Sequence, residues 1–334
     1  MELDLPFIWA GLIAFAVLAY VVLDGFDLGI GILFPFFKEK QDRDVMMNSV
    51  APVWDGNETW LVLGGGGLMA VFPLAYAVVL PALYAPLIAM LLGLVFRGVA
   101  FEFRWRTERG RPIWDLAFAG GSILATLMQG IALGALVQGI HVEGRAYAGG
   151  WWDWLTPFSI LTGVGLIAGY ALLGATWLNL KTQGELQTRA RRFARLAGIG
   201  TLVGVGVVSV WTPFLNEVYH QRWFTWPTAN FTALVPGLVA ACALLLFLGL
   251  QDDRPLQSFL AALGIFVVSF IGVGISFYPW IVPPTLTIRE AAAPDSSLAF
   301  LLVGAVVLVP IILAYTAHAY WVFRGKVDAK TGYH

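Results

Sequence analysis

The sequence predicts an all-α integral membrane protein with about nine crossing helices, and three observations carry that reading. Of 334 residues, 59% are hydrophobic and 12% are charged. Mean hydropathy is +0.77, whereas a soluble domain is about a quarter charged. Apolar runs of about 20 residues, enough to cross a ~30 Å hydrocarbon core, recur along the chain. Finally, seventeen of the twenty Lys and Arg residues fall on alternate connections, the bias of a polytopic chain whose basic loops face the cytoplasm.

The first run, 7–34, follows MELDLPFIWAG, which has no basic n-region and no small-residue cleavage site. It reads as a permanent span, not a removable signal. Runs 51–72 and 74–99 come next, separated only by FPLAYA, where Pro73 and Pro81 support a turn. Runs 114–140, 157–180, 193–214, 229–250, 256–278 and 297–323 complete the nine. With the N-terminus outside, the cytoplasmic connections hold Lys38, Lys40 and Arg43, five arginines between 97 and 111, five basic residues between 181 and 195, and Arg254. The tail adds Arg324, Lys326 and Lys330, which places the C-terminus in the cytoplasm. Arg145, Arg222 and Arg289 remain on the other face.

Several function classes drop out. No soluble segment is long enough to form a basic domain, so no nucleic-acid partner is expected. A single cysteine, Cys242, excludes a disulfide framework and a thiolate metal site. The outer loops YAGGWWDWLTPF and YHQRWFTWPTANF are Trp- and Tyr-rich and read as interfacial belts in contact with the lipid bilayer.

Carboxylates at span ends hold the chemistry. Span 1 closes with VVLDGFDLGIG, so Asp24 and Asp27 share a helix face. At 1.5 Å per residue they lie roughly 28 Å down the helix from Leu5, towards the cytoplasm. Span 2 opens with VWDGNETW, which repeats the spacing in Asp55 and Glu58. A short connection makes the two pairs neighbours. Four carboxyls in one hairpin cannot all stay ionised when partly buried, which suits proton exchange. A plainer reading stands beside this for Asp55 and Glu58, because acidic residues in a first helical turn favour the helix dipole. Arg97 and Glu102, at the cytoplasmic end of span 3, can pair with the cluster, although basic residues at that boundary need no special explanation.

Of four histidines, His318 alone lies within a span, and it reads as a hydrogen-bonded packing residue. With no paired histidines, no haem or metal is expected on this chain by itself. GVGLIAGY lies mid-span without a preceding strand and is not a nucleotide fingerprint. Gly165/Gly169 and Gly200/Gly204 instead suit close helix approach. Gly64, Gly65, Gly66 and Gly67 form a flat helix surface on which a neighbouring helix or another subunit can pack.

These segments resemble subunit II of the cytochrome bd-type quinol oxidases, including their cyanide-insensitive relatives. The residues that carry the resemblance are VVLDGFDLGIGIL, NSVAPVWDGNETWLVLGGGGLMAVFP, FRGVAFEFR, WDLAFAGGS, PFSILTGVGLIAGYALLGATWL, SFYPWIVPP and LVPIILAYTAHAYWVFRGKV. The likeness runs end to end, with the central loops least specific. His318 departs from the family pattern, where an aromatic residue is usual. The resemblance implies one polytopic domain over 1–334 built as two four-helix bundles plus one additional helix, the first bundle about 1–140 and the remainder about 150–334. It implies a bacterial inner-membrane complex that oxidises quinol and reduces dioxygen to water, building a proton gradient without pumping. Two b-type haems and one d-type haem belong to subunit I, against which this chain packs. Some members bind a structural quinone, and a small single-helix subunit is left open.

On that basis Asp55, with Asp24, Asp27 and Glu58, is expected to line a cytoplasmic proton-entry path, with Arg97 and Glu102 in support. Trp54, Trp60 and the glycine face of span 2 are expected to touch subunit I or to line a hydrophobic oxygen route. The competing reading is a carboxylate-coupled secondary transporter, which would want ionisable groups nearer the membrane midplane.

Overall fold

The structure, a computed structural model, describes residues 4–327, so Lys330 and His334 fall outside it. Fourteen α-helices are ordered along the described chain: α1 Leu5–Leu33, α2 Lys40–Asn48, α3 Trp54–Val71, α4 Pro73–Ala82, α5 Tyr84–Arg106, α6 Arg111–Gln138 and α7 Pro157–Lys181. They continue as α8 Gly184–Trp211, α9 Glu217–Phe224, α10 Thr228–Thr232, α11 Leu234–Gln251, α12 Pro255–Phe277, α13 Ile288–Ala291 and α14 Asp295–Val322. Two small antiparallel hairpins, β1 Val142–Glu143 with β2 Ala146–Tyr147 and β3 Trp280–Val282 with β4 Leu286–Thr287, join the crossing helices at one end. That end is termed the far end. The opposite, basic end carries α2, Arg111 at the start of α6 and the Arg-rich first turns of α8.

Eight helical segments are long and apolar enough to cross a membrane. The second span takes its place by packing, because its first half is too polar to qualify by composition. α3 runs antiparallel to α1: Asn57 meets Asp27, Gly64 faces Val17 and Gly67 faces Ile13. The third predicted span, 74–99, is corrected. α4 is a separate ten-residue helix begun by Pro73 and carrying Pro81. It lies in a far-end cluster in which Phe72, Ala75 and Val78 pack with Val282, Ile288 and Leu298. The crossing helix is Tyr84–Arg106, which carries Arg97, Glu102 and Arg104 within it. Apolar composition alone cannot separate a buried surface helix from a span, and this produced the error.

α1 occupies the centre, against α3, α6, α7, α12 and α14. Every residue from Asp24 to Leu33 is buried. In lipid there is little hydrophobic drive between helices, so close backbone approach must supply the packing. Glycines supply it here. A Cβ on Gly29 would fall 1.8 Å from the Tyr170 carbonyl oxygen, and one on Gly174 2.4 Å from the Gly29 carbonyl carbon. Gly93 and Gly121 bring α5 to α6 in the same way, and Gly165 lies against Gly204 where α7 crosses α8.

A clamp seats α2 at the basic end. Arg104, fully buried, donates to Asp115 at 2.5 Å and to Asp44 at 2.7 Å, and Arg43 donates to Asp115 at 2.8 Å. Arg189 of α8 reaches Asp42 at 2.8 Å. Without Arg104 the two carboxyls would keep only Arg43 and the exposed Lys40 as partners. Arg104→Met is therefore expected to cost about 1–3 kcal/mol, read as a lower thermal midpoint of the solubilised protein and new protease cleavage between residues 38 and 50.

Candidate functional site

The i, i+3 spacing of Asp24 and Asp27 on α1 turns both side chains inward, and neither has any solvent exposure. Asp24 lies nine residues before the end of α1, about 14 Å from it along the axis. Arg97 of α5, also fully buried, extends Nη1 to 2.7 Å from Asp24 Oδ1 and donates from Nη2 to Glu58 Oε2 at 3.2 Å. Glu58, in the first turns of α3, keeps 27% of its side chain exposed. One guanidinium thus links a buried and a half-buried carboxyl.

Asp27 is served by an amide. Asn57 Nδ2 donates to Asp27 Oδ2 at 2.7 Å, and Asn57 Oδ1 accepts from the Tyr320 hydroxyl of α14 at 2.8 Å. Two carboxyls therefore share one guanidinium, and the third is held by an amide. Asp27 Oδ1 and Arg97 Nε have no hydrogen-bond partner among the described residues. Buried polar atoms of this kind are normally satisfied by ordered water. Trp54 braces the site from the side: its ring stacks on Phe101 at 4.7 Å, and the Arg97 guanidinium lies 5.8 Å from it.

The structure brings together Asp24, Asp27, Glu58 and Arg97 and leaves other expected members apart. Asp55 is exposed, on the outer side of the first turn of α3. Glu102 is also exposed, 3.8 Å from Arg106 and turned away from the cluster. Trp60 is only 2% exposed and packs with Ala16, Ala19 and Tyr20, so it cannot reach a partner directly. Of the four glycines, Gly64 and Gly67 face α1, while Gly65 and Gly66 have open space where a side chain would stand. His318 is exposed with its ring 6.0 Å from Trp321, which corrects the expectation of a packed residue. Two positions on, Tyr320 takes the inward place, as a ~200° turn around a helix requires.

Sequence reasoning missed Asn57 and Tyr320, although both lie in motifs it quoted. Three residues of WDGNETW alternate around a helix, and polarity alone does not reveal that Asn57 faces inward and Asp55 outward. Tyr20, Gln129 and Tyr170, joined by hydrogen bonds across α1, α6 and α7, gave no signal. Single polar groups in spans are common, and only packing shows that these three meet.

The fold and site define a polytopic α-helical membrane protein with a buried carboxylate–arginine network beside a broad uncovered face on α3, α5 and α14. The chain belongs to the cytochrome bd terminal oxidase subunit II family, whose model matches residues 5–323. It is 32% identical to cytochrome bd-I ubiquinol oxidase subunit 2 of Escherichia coli strain K12, over 97% of this chain and 95% of that one. It is 29% identical to cytochrome bd ubiquinol oxidase subunit 2 of Bacillus subtilis strain 168, over 97% of each. The fold matches a chain of the bd oxidase from Geobacillus thermodenitrificans with a TM-score of 0.76 at 18% identity, covering 96% of this chain and 99% of that one. The chain is thus a multi-pass bacterial inner-membrane protein and a terminal oxidase subunit, and membership of this family does not support the transporter reading.

The oxidase complex contains haem. Among the described residues no histidine points into a buried cleft between helices, where an axial imidazole would stand. His141 lies beside Glu143 on an exposed hairpin, His220 is exposed against Phe224, and His318 is exposed on α14.

Proposed function

We propose that this chain serves a quinol-oxidising, dioxygen-reducing complex by packing against a haem-bearing subunit I and admitting protons from the cytoplasm. The observation that carries this is a graded series of ionisable groups on neighbouring turns. Asp55 is exposed, Glu58 is half-buried, and Arg97 joins Glu58 to the fully buried Asp24. Water at the unpartnered polar atoms would complete the path, because a chain of exchangeable groups needs hydrogen-bonded contact at each step. The basic end faces the cytoplasm in this reading, by the same charge bias that orients the sequence. Subunit I is assigned to the open face of α3 and α5, where Gly65, Gly66, Val62, Val95 and Phe96 lie uncovered. The buried Trp60 and the inward-stacked Trp54 support that face from behind, so the glycines, not the tryptophans, make the contact.

Asp55→Asn in the assembled oxidase is expected to slow steady-state oxygen consumption about three- to tenfold, ~1 kcal/mol of barrier, with haem content unchanged. Normal turnover with normal haem would sink the proton-entry role. Loss of haem would make Asp55 structural.

A further inference from the structure

The last helix is lightly packed, with Leu298 the one buried residue of α14. Its final turn is nevertheless fastened to α7 by a reciprocal clasp. Lys181, 5% exposed at the end of α7, donates through Nζ to the carbonyl of Phe323 and, at 3.2 Å, to that of Gly325. In return Lys326 Nζ donates to the Thr182 carbonyl at 2.9 Å, and the Val327 amide donates to the Lys181 carbonyl at 2.8 Å. Tyr320 stands three residues before Phe323, so the clasp sets its height and rotation. Its ring lies against Phe26 and Trp177, at centroid distances of 6.4 and 6.2 Å.

The Tyr320 hydroxyl carries that placement to Asp27 through Asn57, whose amide is saturated in one orientation. The amide nitrogen donates to two oxygens, Asp27 Oδ2 at 2.7 Å and the Leu23 carbonyl at 3.3 Å. A carbonyl can only accept, so the nitrogen must face α1, and the amide oxygen is left to accept from Tyr320 at 2.8 Å. Asp27 Oδ2 is therefore met by an amide N–H, which cannot take a proton and does not readily give one. Asp27 Oδ1 has no hydrogen-bond partner among the described residues. It is the oxygen left for proton exchange, and the two oxygens of one carboxyl have different tasks.

We propose that Asn57 and Tyr320 are positioning residues for Asp27, which fix Oδ2 as an acceptor and present Oδ1 as the atom that takes up and releases a proton. This rests on the proton-entry reading above, and it places Asp27 on that path one turn nearer the basic end than Asp24. Tyr320 acts through Asn57, because its hydroxyl bonds to the amide and not to the carboxyl. The clasp acts through Tyr320 in turn.

The test uses the assembled oxidase with Asn57→Leu, which keeps the volume, and Tyr320→Phe, which keeps the ring. Asn57→Leu is expected to lower kcat for oxygen consumption about tenfold, the scale of one lost hydrogen bond, with KM for quinol and haem content unchanged. Tyr320→Phe is expected to lower it about threefold, because the Leu23 carbonyl still orients the amide. In an Asp27→Asn background, itself slow, neither substitution should slow turnover further, since both act on that carboxyl. Lys181→Met should lower kcat no more than Tyr320→Phe and add nothing to it. Losses that persist undiminished beside Asp27→Asn, a higher KM, or loss of haem in both single variants would overturn the positioning role. Additive losses for Lys181→Met would overturn the part given to the clasp. Normal turnover in Asp27→Asn beside a slow Asp55→Asn overturns this inference only. Normal turnover in both overturns the proton-entry reading as well.

Discussion

Replacing Arg97 by methionine should cost the folded protein about 3–5 kcal/mol, the penalty for stranding buried charge. Asp24 and Asp27 have no exposure, and Arg97 is the cation that approaches Asp24 and Glu58. Methionine fills much of the same volume, so the loss is electrostatic rather than a cavity. Two companions make the result specific. Arg97→Lys keeps the charge but presents a single flexible ammonium where a forked guanidinium bridges two carboxyls, so it should recover only part of the stability. Adding Asp24→Asn to Arg97→Met removes one of the stranded charges and should restore part of the stability without restoring oxygen consumption. The measurements are the thermal midpoint of the solubilised complex, its haem absorbance and its turnover. A wild-type midpoint in Arg97→Met would show that the pair adds nothing to the fold.

Gly29→Ala should be more damaging still. The new methyl would meet the carbonyl oxygen of Tyr170 at 1.8 Å and the amide nitrogen of Gly174 at 2.8 Å, both backbone atoms. No rotamer change relieves a clash with main chain, so α1 and α7 must separate, and overpacking of this severity exceeds the usual ~1–3 kcal/mol. The expected outcome is little assembled oxidase in the membrane, measured as loss of haem absorbance and of full-length chain. Gly206→Ala, where a side chain meets open space, is the control and should assemble normally. Equal assembly of the two variants would mean that the α1–α7 crossing tolerates an offset.

Much of the site could be read from the chain alone. The i, i+3 pairs placed Asp24 beside Asp27 on one helix, and a short connection brought them to the start of α3. Arg97 could be named as a partner because it ends span 3 on the same side of the membrane as the carboxyls. The ranking within the cluster was less legible. Asp55 and Glu58 share the same spacing and motif, yet Glu58 is turned towards Arg97 while Asp55 is exposed. A periodicity of 3.6 fixes which residues share a face but not which face meets the neighbouring helix. Trp60 shows the same limit, since its motif points to a contact with subunit I or an oxygen route and here it is core.

By itself, the sequence determined that this is a polytopic α-helical membrane protein, that its basic loops lie to one side, and that its carboxylates gather at one end. Length, hydropathy and charge bias suffice for that, because a bilayer imposes the same conditions on every span. Tertiary structure alone decided that α4 is a surface helix and that Asp55 stays outside the buried network. It also brought Gln129, Tyr20 and Tyr170 together from three helices. These contacts depend on how each helix is rotated about its own axis. That rotation is set by which glycines allow backbones to touch, a property of pairs of helices and not of any single stretch of chain.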